Sequence, residues 1–416
     1  MPISGGNGGN AGILTAIPYL NISQPVIRGT QYGDLTIGLG LNVPSGLQTD
    51  YSPGWVGRYS ALRSKLSTFD LQPTIAYRLW GRLSVGASVD IQYASARLTQ
   101  AIDFGLAGAQ ALGQFTQALP VLLAAQGVPA TTIPGVVAST QRAYSNAGFL
   151  PGGRDGIAEV AGNNWTVGYT LGAILEYLKD NDQTFLQDGR VGFSYRSAIT
   201  HEIQGNAQFR GVPTVTAPAA PIQFPSPNLF TNTFFDQGAS AQLNLPDIYH
   251  FSVYQRFLKH LALMGDIEWN RWSRLQSIAI KFDNAGTPSV PIRLNYEDSL
   301  RFAIGLEWYA TRNLTCRCGF AYDQTPVPSA AFRTLQLPDS DQYTLSFGFR
   351  WSPTRWMDID VGYLHIFLPE GHSDVADGHG HIVRGNFSTA LNLLGAGTTV
   401  RWGGAKEERI VAPSPK

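Results

Sequence analysis

The stretch YEDSLRFAIGLEWYA, residues 296–310, alternates two kinds of side chain. One face carries large apolar residues, namely Leu300, Phe302, Ile304, Leu306 and Trp308. The other face carries small or charged residues, namely Ser299, Arg301, Ala303, Gly305 and Glu307. Successive side chains of a β-strand point to opposite faces, so this pattern predicts a strand with one apolar and one polar face. The apolar face must meet either a protein core or lipid.

The same alternation recurs along the chain, in residues 164–178, 189–196, 261–269 and 343–351, with aromatic residues near the strand ends. Strands of about ten residues with an outward apolar band, aromatic girdles and a polar interior are typical of transmembrane β-barrels. Soluble β-sandwiches also alternate, so the strand pattern alone leaves both classes open.

Composition narrows the class of protein. Only 14% of the 416 residues are charged, whereas 44% are hydrophobic and 11% are aromatic. A soluble surface usually carries ~25–35% charged residues, and the chain is too apolar for disorder. The formal net charge is zero, so no nucleic-acid partner is expected. No run of 18 or more apolar residues is present, so no transmembrane helix is predicted.

The connections between strands favour the barrel. Very short links occur around Gly81, Lys259, Asn313 and Pro353, and a slightly longer one covers residues 179–188. Long links alternate with them, at residues 47–68, 99–163, 208–236, 276–293, 325–340 and 369–385. Outer-membrane barrels show this alternation of short periplasmic turns and long extracellular loops. We therefore predict an all-β fold, a single transmembrane antiparallel β-barrel over residues 1–402 with a C-terminal tail, 403–416.

The pattern predicts thirteen strands. They span residues 12–26, 33–44, 69–80, 82–98, 164–178, 189–207, 237–257, 260–275, 294–310, 313–324, 341–351, 355–368 and 386–402. Bacterial single-chain barrels have an even number, so we expect a preceding strand that this chain lacks, with Met1 an internal start. The alternative is an unrecognised strand inside residues 208–236. The beginning, MPISGGNGGN, also lacks the basic and apolar regions of a signal peptide.

Several motifs, in order from about residue 15 to residue 402, resemble one family. They are LGLNVPSGLQTDY (39–51), GWVGRYSAL (54–62), NLPDIYHFSVY (244–254), WNRWSRLQSIAIKFDN (269–284), LNYEDSLRFAIG (294–305), GFAYDQTPVP (319–328) and RTLQLPDSDQYTLSFG (333–348). The family is FadL, the outer-membrane transporters of long-chain fatty acids and hydrocarbons of Gram-negative bacteria.

The resemblance implies a barrel of the 14-stranded type that is plugged by an N-terminal hatch. About thirteen of these strands are present here. It implies passive uptake of a long-chain fatty acid or another hydrophobic small molecule, without cofactor, metal or catalytic residues. Hydrocarbons and monoaromatic compounds remain an alternative substrate class. The expected surroundings are outer-membrane lipid and lipopolysaccharide, and the expected state is a monomer. The hatch is not found in this sequence, and the tail after Trp402 departs from the family pattern.

The segment Asn42, Val43, Pro44, Ser45 and Gly46 should interrupt its strand. Proline cannot donate a ladder hydrogen bond, and glycine tolerates backbone angles that other residues avoid. One interpretation is a strand that simply ends in a loop. The resemblance implies instead an inward kink that opens the barrel wall, so that a substrate leaves laterally into the membrane. That route suits a molecule whose transfer to water costs ~0.8 kcal/mol per CH₂.

Two long loops are too apolar for solvated segments, and exposed apolar patches usually mark binding sites. Residues 99–163 include an alanine-rich, helix-favouring stretch, and residues 208–236 carry several phenylalanines. The resemblance implies a hydrophobic capture groove, for which the candidates are Phe104, Leu106, Leu112, Phe115, Leu119, Leu122, Leu123, Phe224, Phe230, Phe234 and Phe235. The alternative is that these residues pack on each other and cap the barrel.

Four arginines fall on the predicted lumen faces: Arg97, Arg196, Arg301 and Arg350. Each offers a planar set of donors suited to a carboxylate. Arg97 lies beside the family's basic pocket position, which Gln100 occupies here, and Arg301 belongs to the family-like EDSLR motif. We therefore name Arg97 and Arg301 as candidate substrate ligands. The alternative is that lumen arginines pair with carboxylates such as Glu297, Glu307 or Asp266 and brace the barrel.

Other functions find less support. None of the seven histidines lies in a recognisable catalytic motif, so no enzyme activity is expected. His372, Asp374, His379 and His381 could bind a metal, but no standard spacing fits and simple solvation is the favoured interpretation. Cys316 and Cys318 share one strand face ~7 Å apart, too far for a disulfide, and are interpreted as small apolar side chains.

A general porin would need charged constriction rings and hydrophilic outer loops. The apolar outer loops favour hydrophobic uptake instead.

Overall fold

The computed structural model describes residues 4–30, 32–179, 185–289, 291–378 and 380–402. The strands are β1 Leu20–Thr30, β2 Gly33–Asn42, β3 Gly46–Asp50, β4 Arg63–Leu79, β5 Leu83–Asp103, β6 Asp155–Leu178, β7 Leu186–Arg196, β8 Ile199–Arg210, β9 Gln237–Leu245, β10 Ile248–Phe257, β11 Leu261–Asn270, β12 Ser277–Ile278, β13 Ile280–Phe282, β14 Ile292–Arg293, β15 Ser299–Tyr309, β16 Leu314–Asp323, β17 Gln342–Trp351, β18 Met357–Ala376 and β19 Ile382–Val400. The helices are α1 Phe104–Ala125, α2 Ile133–Asn146 and a short 3-10 helix, Trp272–Arg274.

Seventeen of these strands form one antiparallel sheet, and β12 with β14 forms a separate small ladder. We call each crossing of the barrel wall by the chain a pass. Four passes consist of two strands each, because both strands pair with the same neighbouring passes: β2 with β3, β7 with β8, β9 with β10, and β11 with β13. The described residues therefore make thirteen passes, the number predicted. Residues 211–236 contain no strand, so the alternative of a missed strand there is wrong.

The first and last passes approach each other without pairing. β1 pairs with β2, and β19 pairs with β18. The Tyr19 hydroxyl lies directly over Gly397, where a Cβ atom would overlap it. Within the described ranges no backbone ladder joins β1 to β19, so the barrel wall has a seam at this position.

The predicted apolar faces point outward. On β15, Leu300, Phe302, Ile304 and Trp308 are exposed, whereas Ser299 and Glu307 are buried. Val167 and Phe347 on other strands are each more than 60% exposed. An apolar surface of this extent would be unfavourable in water, and it matches the lipid-facing band of a membrane barrel. The strand quoted first therefore turns its apolar side to lipid and its polar side to the lumen.

Aromatic side chains border this band on its extracellular side. Their ring centroids lie 4.9–5.9 Å apart in the pairs Tyr93–Trp165, Tyr169–Tyr195, Tyr195–Tyr249, Tyr249–Trp269 and Tyr322–Tyr343. Aromatic girdles of this kind lie at the membrane interface. The strands that continue beyond the girdle therefore leave the lipid zone.

Several strands extend further into the predicted loops than expected. β5 reaches Asp103 and β6 begins at Asp155, so the long link 99–163 shortens to residues 104–154. The link 208–236 becomes 211–236, and most of 369–385 belongs to β18 and β19. At the other end, residues 12–19 are not strand although strand was predicted from residue 12. These extensions were missed because their outward faces are polar, unlike the lipid-facing band.

The loops above the barrel form their own packed core. Asp103 caps α1, since its Oδ1 accepts from the Leu106 amide at 2.8 Å. One apolar cluster joins α1, α2 and residues 211–236. A second cluster joins residues 51–62 to Leu335 and Val383. We call the assembly of residues 104–154 and 211–236 the cap.

Among the described residues, no helix is both long enough and apolar enough to cross a membrane.

Candidate functional site

The predicted interruption at residues 42–46 is a β-bulge. The ladder to β4 pairs Asn42 with Asp70 and resumes with Gly46 opposite Ser67. Residues 43–45 thus face only two residues of β4, and an extra residue of this kind bends its strand. The interpretation as a simple strand end is wrong, because β3 continues along the same neighbour for five residues.

Thr68 of β4 stabilises the bulge. Its hydroxyl donates to the Ser45 carbonyl at 2.7 Å, and the Ser45 amide donates to the same hydroxyl at 2.9 Å. The Thr68 amide also donates to the Ser45 carbonyl at 2.9 Å. Because Pro44 has no amide hydrogen, a side chain supplies part of the hydrogen bonding that a regular ladder would give.

The wall opens beside this bulge. β1 meets β2 as far as the pair Leu20–Leu41, and further out the Asp50 amide donates to the Ala11 carbonyl at 3.1 Å. Between these two points residues 12–19 leave the wall, and the Leu14 side chain is fully exposed. Within the described chain, β3 pairs with β4 alone. We call this gap between residues 12–19 and β3 the wall opening.

An internal cavity of about 690 Å³ reaches the bulge, where Pro44, Ser45, Gly46 and Leu47 line it. Its volume lies in the range typical of small-molecule sites. Much of the remaining wall is apolar and buried, and the main contributors are Ile199, Ile203, Leu243, Leu245, Leu275 and Leu294. Trp272 and Tyr296 add an edge-to-face aromatic pair with centroids 6.0 Å apart.

These apolar lining residues were not identified from the sequence. On β8, Ile199 and Ile203 face inward while Thr200, Glu202 and Gln204 face outward. The register to β6 shifts by one residue between the pairs Thr170–Arg196 and Asn163–Gln204, which exchanges the two faces. The signal in the sequence is the alternation in residues 199–204, where apolar Ile199 and Ile203 oppose polar side chains.

A polar network forms the floor of the cavity beneath the bulge. Buried Asp90 accepts hydrogen bonds from Gln72 at 3.0 Å, Ser88 at 3.0 Å and Thr170 at 2.7 Å. The Asn42 amide group donates to Gln72 at 2.7 Å and connects the bulge to this network. Buried polar groups with satisfied hydrogen bonds make a rigid floor.

Arg196 lies at the centre of the same floor. It pairs with Asp70, and its Nε is 3.7 Å from an Asp90 oxygen. Both aspartates are fully buried. Gln92 donates to Asp70 at 2.7 Å, and the Nε2 of buried His201 contacts Gln92 Oε1 at 2.7 Å. Buried carboxylates need such partners, so Arg196 braces the lumen, as one of the two interpretations predicted.

The other lumen arginines behave similarly. Arg350 and Arg317 both contact Asp360, with distances of 2.9 Å and 3.2 Å, and Arg317 also contacts Glu307 at 2.5 Å. Arg301 lies between Glu268 and Asp323 on the neighbouring strands. It lines a second lumen cavity of about 520 Å³, which is separate from the lining of the first.

Arg97 does not lie on the lumen face, and that prediction is wrong. Its neighbours Ala96 and Leu98 line the first cavity, so the alternation turns Arg97 to the outer surface. There its side chain is 49% exposed and lies 3.9 Å from Glu159. A charged residue faces the lumen where lipid surrounds the barrel, whereas the outer face is polar above the aromatic girdle.

The predicted groove residues come together in the cap, but as a closed core. Phe104 packs against Phe230 and Phe234 at 5.0 Å and 5.2 Å, and Phe115 against Phe224 at 5.5 Å. The remaining buried members are Leu106, Leu112, Leu119 and Leu123. Leu122 and Phe235 are 50% and 45% exposed. None of the eleven candidates lines either lumen cavity, and most of them pack on one another as the alternative describes.

Two ionisable groups at the outer end of the cavity are perturbed. Burial raises the pKa of Asp339, although Thr325 and Gln342 donate to its carboxylate at 2.6 Å and 3.2 Å. Burial also raises the pKa of the Tyr296 hydroxyl. Both side chains belong to extracellular connections that line the cavity.

The candidate metal residues do not assemble into a site in the part of the chain that the structure describes. His379 lies outside the described residues. His372 is exposed and contacts Asn386 at 2.7 Å. His381 is buried between Asp103 and Asp377, at 3.2 Å and 2.5 Å, so simple solvation was wrong for this residue. Cys316 and Cys318 are free thiols on the lipid-facing side of β16.

Thirteen antiparallel passes, a lipid-facing band and an apolar cavity beside an open wall define a membrane β-barrel that can hold a hydrophobic molecule. A sequence model of the outer membrane protein transport protein family (OMPP1/FadL/TodX) matches residues 4–401. The chain belongs to this family and is an outer-membrane transport protein.

Known relatives agree with this assignment. The chain is 27% identical over 351 residues to the long-chain fatty acid transport protein of Escherichia coli O6:H1, covering 84% of this chain and 69% of that protein. Among solved structures, a Pseudomonas aeruginosa FadL homologue superimposes with a TM-score of 0.70 at 23% identity, covering 95% and 80% of the two chains. The Ralstonia pickettii toluene transporter TbuX gives 0.56 at 19% identity, covering 91% and 80%. Both structures show the shared fold.

Proposed function

We propose that this protein takes up long-chain fatty acids or similar hydrophobic molecules by passive diffusion, and that they leave the barrel laterally through the wall opening. The observation that carries this proposal is the continuity of the apolar cavity with the bulge at residues 43–45. A substrate in the cavity needs to pass only Pro44, Ser45, Gly46 and Leu47 to reach the membrane side.

The cap is the proposed point of capture. Its exposed apolar residues, Val121, Leu122 and Phe235, offer the first contact for a hydrophobic molecule. The packed phenylalanines beneath them would separate to admit it. Lipid and, on the outer leaflet, lipopolysaccharide surround the apolar band, and the single-chain barrel acts as a monomer.

Physical chemistry favours lateral exit over direct passage to the periplasm. Each CH₂ group moved from an apolar site into water costs ~0.8 kcal/mol. The floor beneath the cavity consists of Asp70, Asp90 and Arg196 in a paired, hydrogen-bonded network. An aliphatic chain crossing that floor would have to disrupt buried charges, whereas the wall opening presents no such barrier.

Monoaromatic uptake is a second candidate. Trp272 and Tyr296 form an aromatic pair in the cavity wall, which suits a small aromatic ring. The solved toluene transporter named above shares the fold.

The bulge gives the direct test. The double variant Pro44→Val with Gly46→Val restores an amide donor and favours a regular strand. Valine fits at position 46, where an added Cβ meets only the Leu66 carbonyl at 4.0 Å. We expect uptake of radiolabelled 1-dodecanol, and of a radiolabelled fatty acid, to fall to the level of cells without a transporter.

Pro73→Val is the matched control, since Pro73 also interrupts a strand ladder but lies opposite Leu39, away from the opening. Uptake by the control should equal that of the parent protein. Normal uptake by the folded double variant would contradict lateral exit.

A further inference from the structure

We infer that the cavity selects uncharged hydrophobic molecules, bare hydrocarbons or alcohols, over carboxylates of the same chain length. This inference rests on the proposed function and narrows its substrate class to molecules without a charged head group, because of the charge that the cavity presents.

The cavity offers no available basic side chain among its described lining residues. Two of these residues are basic, Lys65 and Arg196. Lys65 borders the cavity through its backbone, because its neighbours Ser64 and Leu66 point inward while its own side chain is exposed. Arg196 is held by the buried carboxylates of Asp70 and Asp90. A substrate carboxylate would have to compete with both of them for this guanidinium.

Acidic groups line the other side of the cavity. They are Glu268, Asp323 and Asp339. Arg301 lies beside Glu268 and Asp323 in the ladder, but it lines the second cavity. Arg333 lies near Asp339, whose pKa is raised by burial, so the charge that the first cavity presents comes mainly from Glu268 and Asp323, with Arg301 as their basic neighbour.

Much of the wall of the first cavity is apolar, so water screens charges inside it only weakly. Like charges repel far more strongly there than in bulk water, so an ionised carboxylate is disfavoured. An alkane meets no such penalty and packs against the six aliphatic residues of the wall. A hydroxyl group can in addition donate a hydrogen bond to Glu268 or Asp323, because ionised carboxylates are acceptors only.

The test compares two ligands that differ only in head group. Radiolabelled 1-dodecanol and dodecanoate are incubated separately with the purified protein at about pH 8, where a free carboxylic acid is ionised. Bound ligand is counted after gel filtration. Leu243→Trp, which fills the cavity, gives the background from detergent alone.

We expect dodecanol to bind at least about tenfold more tightly than dodecanoate, a difference that corresponds to ~1.4 kcal/mol. The double variant Glu268→Gln with Asp323→Asn should narrow this ratio several-fold by improving dodecanoate binding. Glu202→Gln is the matched control, because Glu202 is exposed on the outer face, and it should leave the ratio unchanged.

Equal affinity of the parent protein for the two ligands would overturn the inference, even if the double variant fails to fold. So would an unchanged ratio in a folded double variant. If neither ligand binds above the Leu243→Trp background, the proposed function itself fails. The results therefore distinguish a wrong head-group preference from a wrong site.

Discussion

The lipid zone of the barrel and its extracellular extension have opposite polarity. In the lipid zone, Val167 and Ile304 point outward and Asp90 points into the lumen. In the extension, Glu202 and Arg97 point outward while Ile203 and Leu98 line the cavity. The strands thus contact lipid in one region and water in the other. Where the outer face is apolar the strand contacts lipid, and where the outer face is polar it contacts water.

The largest expected effect comes from the boundary between the two regions. Arg196→Met would leave Asp70 and Asp90 buried without their cation, and breaking a buried pair costs ~3–5 kcal/mol. We expect a clear fall in the urea midpoint for unfolding of the detergent-solubilised barrel.

Arg384→Met is the control for that change. Arg384 pairs with Asp374 at 2.9 Å, but both side chains are exposed. Such surface pairs contribute ~0–1 kcal/mol. Equal losses in the two variants would mean that the floor network does not support the barrel.

A charge introduced on the outer surface should have different effects on folding in the two regions. Ile304→Lys places a charge in the middle of a lipid-facing strand, where lysine costs ~2–4 kcal/mol. Glu202→Lys changes the outer face of β8 above the aromatic girdle, and such surface changes usually lie within ~0.5 kcal/mol of neutral. Folding yields into lipid vesicles should fall only for Ile304→Lys, and a similar fall for both variants would place β8 in the lipid zone.

The smallest expected effect concerns the bulge. Thr68→Val removes a hydroxyl that bonds the Ser45 amide and carbonyl, and one hydrogen bond contributes ~0.5–1.5 kcal/mol. We expect a slightly lower free energy of unfolding and a changed rate of substrate uptake, because the edge of the wall opening loses the hydrogen bonds of Thr68. Thr36→Val in β2 is the control within the same sheet. Uptake identical in the two variants would show that the bulge geometry does not govern exit.

The sequence predicts the lipid zone well because every strand in contact with lipid must turn its apolar side chains outward. The thirteen passes and the outward face of residues 296–310 follow from that rule. Beyond the girdle the polarity of the two faces reverses, so the pattern predicts the wrong side for Arg97 and does not show that Ile199 and Ile203 face inward. The face exchange on β8 depends on a one-residue register shift, which alternation alone does not reveal.

The bulge and the cap also differ in how far the sequence predicts them. Pro44 has a local chemical consequence, the missing donor, so an interruption at residues 42–46 could be predicted. Phe104 and Phe230 are apolar in both a groove and a closed core. Only the three-dimensional packing distinguishes these arrangements, and here it gives the closed one.

The central claim, that substrate passes from the apolar cavity to the wall opening, is tested most directly by photo-crosslinking. A dodecanol that carries a diazirine is bound to the protein and irradiated, and the labelled peptides are identified by mass spectrometry. The account predicts adducts on residues 44–47 and on cavity residues such as Ile203 and Leu243. Adducts confined to the second cavity, around Ala303 and Gly319, would contradict it and indicate passage straight down the lumen.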